Sequence, residues 1–90
     1  MNQSLLKMEE KVNINPYHGE IDALKLNHWL QQLEVYFSVN QIEEGQKISF
    51  AQLKLEGRAL TWWESHMETL RLEGEHPVTK WEDFKTLIKS

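Results

Sequence analysis

The sequence predicts an all-α domain, a compact bundle of about four helices with an extended N-terminal arm. Three observations carry this. Apolar residues recur at spacings of three and four in four stretches after residue 21, which is the period of a helix face. Alternation at period two is confined to Val12 and Ile14. Gly19, Gly57, Gly74 and Pro77 fall between the periodic stretches, where turns belong. The organisation expected is an arm over residues 1–14 and one helical lobe over 15–90.

In the arm, "MNQSLLKMEE" reads as a loosely held lead-in. "KVNINPYHG" follows as an extended run, because Pro16 pushes Asn15 away from helical angles and Gly19 permits a turn. Tyr17 is expected to tuck its ring against the lobe.

The first helix is "DALKLNHWLQQLEVYFSVN", with Asp22 as its cap. Leu26, Trp29, Leu30, Leu33 and Phe37 form its buried face, Tyr36 widens it, and Ser38 to Asn40 end it. The second starts at Glu43-Glu44, carboxylates suited to the positive end of a helix, and runs through Ile48, Ala51, Gln52 and Leu55. Phe50 sits off that stripe. Gly57 is either its C-terminal stop or a bend into the next helix.

The third helix, "RALTWWESHMETL", holds adjacent tryptophans that point about 100° apart. Leu60, Trp63, Met67 and Leu70 make one apolar stripe, and Ala59, Trp62 and His66 a second row beside it. "EGEHPV" breaks the helix. The last, "TKWEDFKTLIKS", has the Thr79–Glu82 spacing of a capping box and buries Trp81, Phe84, Leu87 and Ile88. Its pattern is still running at Ser90, as in a fragment of something longer.

Bulk composition narrows the function. The chain of 90 residues suits one small domain, and four Trp, two Tyr and three Phe supply apolar area for its core. Without cysteine there is no disulfide, thiolate nucleophile or cysteine-ligated zinc. No apolar run is long enough to span a bilayer, the start lacks a signal-peptide core, and Asn2 excludes N-myristoylation. The expectation is a soluble, cytoplasmic protein without membrane contact. Fourteen acidic against ten basic residues, a net charge of −4 with the cations dispersed, make this segment a poor grip for nucleic acid.

Chemistry is not signalled. The four histidines lack metal-ligand spacing, the carboxylate pairs are adjacent and diverge on a helix, and no nucleophile elbow or phosphate loop occurs. The reading is a non-enzyme with no metal and no cofactor.

Taken in order, "NPYHGEID", "HWLQQLEVYF", "EEGQKISFAQLKLEGRALTWWE" and "VTKWEDFK" resemble the Gag protein of Ty3/gypsy-type long-terminal-repeat retrotransposons, in the N-terminal part of its capsid region. The likeness spans about residues 15–90. Tyr17-His18-Gly19 stands where the family often has an F-x-G turn. The resemblance implies a lobe related to retroviral capsid N-terminal domains, which self-associates into shells around the element's RNA. It also implies that RNA contact falls mainly to regions outside this chain. Domesticated Gag proteins such as Arc have similar lobes and can take short peptides in a hydrophobic groove. The resemblance fits an active element or a domesticated copy.

On this reading Trp29, Leu30, Leu33, Phe37, Leu55, Leu60, Trp63, Met67, Trp81 and Phe84 are the structural core. Tyr17, Phe50, Trp62 and His66, each off or beside a principal stripe, are candidate protein-contact residues.

Overall fold

A computed structural model of the chain describes residues 14–90. Four helices follow one another: α1 (Ala23–Val39), α2 (Glu44–Leu53), α3 (Gly57–Leu72) and α4 (Trp81–Lys89). Among the described residues there is no strand, only one isolated parallel bridge between Tyr17 and Leu55. The all-α class read from periodicity is the class observed. The expected arm over residues 1–14 lies outside the described residues except for Ile14, which is buried in the core.

α1 begins where Asp22 holds an extended backbone and its Oδ1 accepts from the Leu24 amide at 3.0 Å and, more weakly, the Lys25 amide at 3.4 Å. It ends without a glycine. The Ile42 amide reaches back to the Phe37 carbonyl at 2.9 Å, and Gln41 takes the left-handed position with φ of 52°. α3 ends on the same device with the residue it usually requires. Gly74 at φ 72° lets the Glu75 amide close onto the Leu70 carbonyl at 2.9 Å.

α4 lies across α1 and α2 and closes the core. Phe84, fully buried, meets Trp63 at 5.1 Å and Trp81 at 5.1 Å between ring centroids, and Trp81 stands edge-on to Phe37 at 4.9 Å. α1 and α2 are joined by Tyr36 stacked on Phe50 at 4.4 Å. Burying a large side chain of this kind contributes about 1.5–3 kcal/mol, so these rings dominate the stability of a small lobe.

The structure corrects the sequence reading in three places. α2 stops at Leu53, and Leu55 lies beyond it in the bridge, where it is nonetheless buried. The Tyr17 amide donates to the Lys54 carbonyl at 2.8 Å and the Glu56 amide to the Tyr17 carbonyl at 3.0 Å, so the extended segment of residues 14–20, called the arm from here on, takes the backbone groups that another helical turn would have used. Gly57 is then the first residue of α3.

The second correction is the capping box. α4 starts at Trp81 with Lys80 before it, and no side chain of its own caps it. Instead the Trp81 amide donates to Glu44 Oε2 of α2 at 2.7 Å. The ring of Trp81, seated between Phe37 and Phe84, sets where the helix begins, and the neighbouring helix supplies the acceptor.

The third concerns α3. Its buried residues are Ala59 and Trp63, while Leu60 and Met67 are half-buried and pack against the core from one side. The arm presses on α3 at Ala59, which pulls the buried seam towards the second row. Trp29, Leu30, Leu33, Phe37, Trp63, Trp81 and Phe84 are all buried.

Candidate interaction surface

The arm, α3 and the end of α4 enclose a cleft of about 280 Å³ lined by Tyr17, Gly19, Arg58, Ala59, Trp62, Ile88 and Ser90. Its floor exists because Gly19 crosses α3 at close range. Gly19 has φ of 91°, and a Cβ there would lie 3.0 Å from the Ala59 backbone nitrogen. No L side chain fits both demands.

Tyr17 is half-buried and stacks on Trp29 at 5.4 Å, while its hydroxyl donates to the Glu20 carbonyl at 2.9 Å. Burial pushes the phenol above its ordinary value, with Glu20 and Asp22 adding to it, so the hydroxyl stays a donor. Trp62 is 37% exposed, tilted against Trp63 at 6.0 Å and stacked nearly parallel on His66 at 5.8 Å. The two indoles thus divide the work: Trp63 touches Phe84 in the core, and Trp62 faces the cleft.

Of the four contact candidates, the structure brings Tyr17 and Trp62 to one cleft, with His66 behind Trp62. Phe50 is elsewhere. It lies half-buried at the α1–α2 seam, stacked on Tyr36 and edge-on to Phe37 at 6.0 Å, where it serves packing. Arg58 and Ile88 also line the cleft. Ile88, expected on the buried face of the last helix, is half-buried, and nothing in the sequence placed either residue beside Tyr17 and Trp62.

Several polar groups among the described residues tie one element to another. His18 Nε2 and Glu56 Oε1 meet at 3.1 Å on the surface and link the arm to the turn before α3. Glu34 Oε2 accepts from the Trp81 indole at 3.0 Å and from Lys85 Nζ at 2.7 Å. Its carboxyl sits below the ordinary range because these bonds outweigh the opposing effect of burial. Glu44 is likewise lowered, by the Trp81 amide first and by Lys47 at 3.2 Å second. Among the described residues no group of three or more His, Asp or Glu side chains could hold a metal ion. No helix among them is long and apolar enough to cross a membrane.

With this geometry in place, comparison with known proteins identifies the domain type. The model of the family described as "retrotransposon-derived protein PEG10, N-terminal capsid-like domain" matches residues 11–90. No curated protein and no solved structure gives a match.

Proposed function

Because the chain belongs to this retrotransposon-derived, Gag-like capsid family, we propose that it is the structural N-terminal lobe of a Ty3/gypsy-type Gag protein. Its task is to join other copies in virus-like particles that package the element's RNA. The observation that carries the reading is the family match over residues 11–90. The rigid aromatic core supports it, since a shell needs a building block that keeps its shape. Each lobe–lobe contact is modest, and repetition around a closed shell supplies the avidity. RNA contact rests mainly with other regions, in keeping with the net charge of −4.

Electron microscopy of full-length protein, with and without RNA, tests the reading. Closed particles are expected, and their absence under both conditions overturns it.

A second reading has one observation in its favour, the cleft between Tyr17 and Trp62. In a domesticated Gag, this lobe would take short apolar peptides there as an interaction module. Titrating the lobe with such peptides while following tryptophan fluorescence is the test. Saturable quenching that Trp62→Ala abolishes supports peptide docking, and no change in the wild type removes it. A protease–reverse transcriptase reading frame downstream would favour the active element.

A further inference from the structure

We infer that the cleft between Tyr17 and Trp62 selects an extended segment of a partner protein that carries one large apolar side chain and, two residues away, one carboxylate. Arg58 is the residue that recognises the carboxylate. The inference rests on the peptide-docking reading above and names the chemistry of the occupant.

Size sets the first limit. The cleft measures about 280 Å³, below the ~300–1,000 Å³ of pockets that enclose a small molecule or cofactor. It suits one inserted side chain, with the rest of the ligand lying outside. Its walls are the rings of Tyr17 and Trp62 and the aliphatic chain of Ile88, so the inserted group is large and apolar. Both rings are supported by a second ring, Tyr17 by Trp29 at 5.4 Å and Trp62 by His66 at 5.8 Å. Walls fixed in advance lose little freedom when a ligand arrives.

Charge sets the second. Arg58 is the one charged side chain in the lining. Of the two arginines in the chain, Arg71 is committed to Glu68 of its own helix through two N–H groups. Arg58 is exposed and forms no ion pair among the described residues. The carboxylates flanking this region are engaged elsewhere: Glu56 meets His18 Nε2 at 3.1 Å, and Glu20 accepts from the His18 amide at 3.1 Å. A Cβ on residue 19 would lie 3.3 Å from the Cβ of Arg58, so the bare Gly19 leaves Arg58 its place beside the cleft.

A guanidinium presents a planar fork of N–H donors that matches a carboxylate two bonds at a time. One guanidinium also balances one carboxylate. A phosphorylated residue, with a charge of about −1.5 to −2, is held by clusters of arginine, and this lining has a single one. The net charge of −4 acts in the same direction, since it repels an acidic run. A lone carboxylate delivered beside an apolar anchor meets that repulsion least and finds the one unengaged arginine.

Spacing sets the third. Arg58 and Trp62 are four residues apart on α3, about 6 Å along its axis at ~1.5 Å per residue. In an extended peptide the side chains on one side recur every two residues, about 6.6 Å at ~3.3 Å per residue. An anchor at Trp62 and a carboxylate at Arg58 therefore come from ligand residues i and i+2. Neighbouring ligand residues point to opposite sides and cannot serve both.

The probes are fluorescein-labelled Gly/Ser peptides with an amidated C-terminus that carry Phe and Glu two residues apart. They are titrated with the 90-residue chain, itself amidated at its C-terminus because Ser90 also lines the cleft, and anisotropy is followed. The Phe-x-Glu peptide is expected to bind about fivefold tighter than its Gln counterpart, and tighter than a peptide with Phe and Glu adjacent. Arg58→Gln, at an exposed position that leaves the helical circular dichroism unchanged, should abolish the preference for Glu over Gln. Arg58→Glu should reverse it in favour of a Lys peptide. Equal affinity of the wild type for the Glu and Gln peptides overturns the inference, as does equal affinity for the adjacent pair, or a Glu preference that survives Arg58→Gln. Tighter binding of a phosphoserine peptide, a Lys peptide, or a Gln peptide with a free C-terminal carboxylate overturns it too, by giving the cleft a different ligand. In each of these cases, binding that Trp62→Ala abolishes leaves the docking reading standing. Absence of saturable binding by every peptide overturns the docking reading and the inference together.

Discussion

The junction where α4 meets α1 and α2 and the rim where the arm crosses α3 are both built around tryptophan, but different forces hold them. At the junction Trp81 is buried between Phe37 and Phe84, its indole donates to Glu34, and its amide donates to Glu44. Apolar burial and charge-assisted hydrogen bonds act on one residue, tying three helices together. At the rim Trp62 is partly exposed and leans on Trp63 and His66, and the backbone is held close by Gly19. The central indoles form a third case. Trp29 and Trp63 are buried, and their N–H groups find no hydrogen-bond partner among the described residues, so packing is what holds them there. Where a ring is anchored by polar groups its orientation is specified, and where it is not, shape must do so.

The largest effect separating the two regions is expected at the rings themselves. Trp81→Ala should lower unfolding free energy by about 3–5 kcal/mol, enough to leave a small lobe largely unfolded, and Trp63→Ala should fall in the same range. Trp62→Ala should cost under about 1 kcal/mol. Urea denaturation followed by circular dichroism measures all three, and equal losses for Trp62 and Trp63 would erase the distinction drawn between them.

Next comes the backbone of the rim. Gly19→Ala places a methyl group against Ala59 at a φ that L residues avoid, so a loss of about 1–3 kcal/mol is expected, visible as a lowered Tm. A neutral outcome would show that the arm can lift from α3.

The polar ties of the junction are probed by pH. Glu34 and Glu44 both have carboxyls lowered in the fold. Their contribution is therefore present above the unfolded value of ~4.3 and is lost as pH falls through the lower folded values. Lys85 is raised, by its bond to Glu34 first, so its share is present below about 10.4 and disappears as pH rises through the folded value. Melting temperature should thus fall from pH 5 towards pH 2, with a shallower slope in the Glu34→Gln, Glu44→Gln double variant. The smallest effect lies at the helix end nearest the junction. Gln41→Gly relieves a left-handed glutamine and should stabilise by about 0.5–1 kcal/mol, seen as a modest rise in Tm.

Much of the fold was legible in the residues. The stripe of α1, its Asp22 cap and its end near Asn40 follow from periodicity and capping chemistry, which are local. The Thr79–Glu82 pattern misled because a local signal met a tertiary competitor. Glu44 lies 37 residues away in sequence and fills the role that Thr79 would have had. Phe50 stands off its own helix stripe because another helix packs it, through Tyr36. Tyr17 and Trp62 could be singled out as rings off the main stripes, but their shared cleft could not. It depends on the arm pairing with Leu55 and on Ile88 arriving from α4.

By itself, then, the order of apolar residues, turn formers and aromatics determined the helices, the class and the kinship to a capsid lobe, because each is written at spacings of three or four residues or as motifs read in line. Tertiary structure alone decided that α2 ends early, that α4 is capped by α2, and that Ala59 rather than Leu60 is buried. Those outcomes turn on contacts between elements far apart in the chain, where competition for the same backbone groups and the same apolar space is resolved only once the pieces have met.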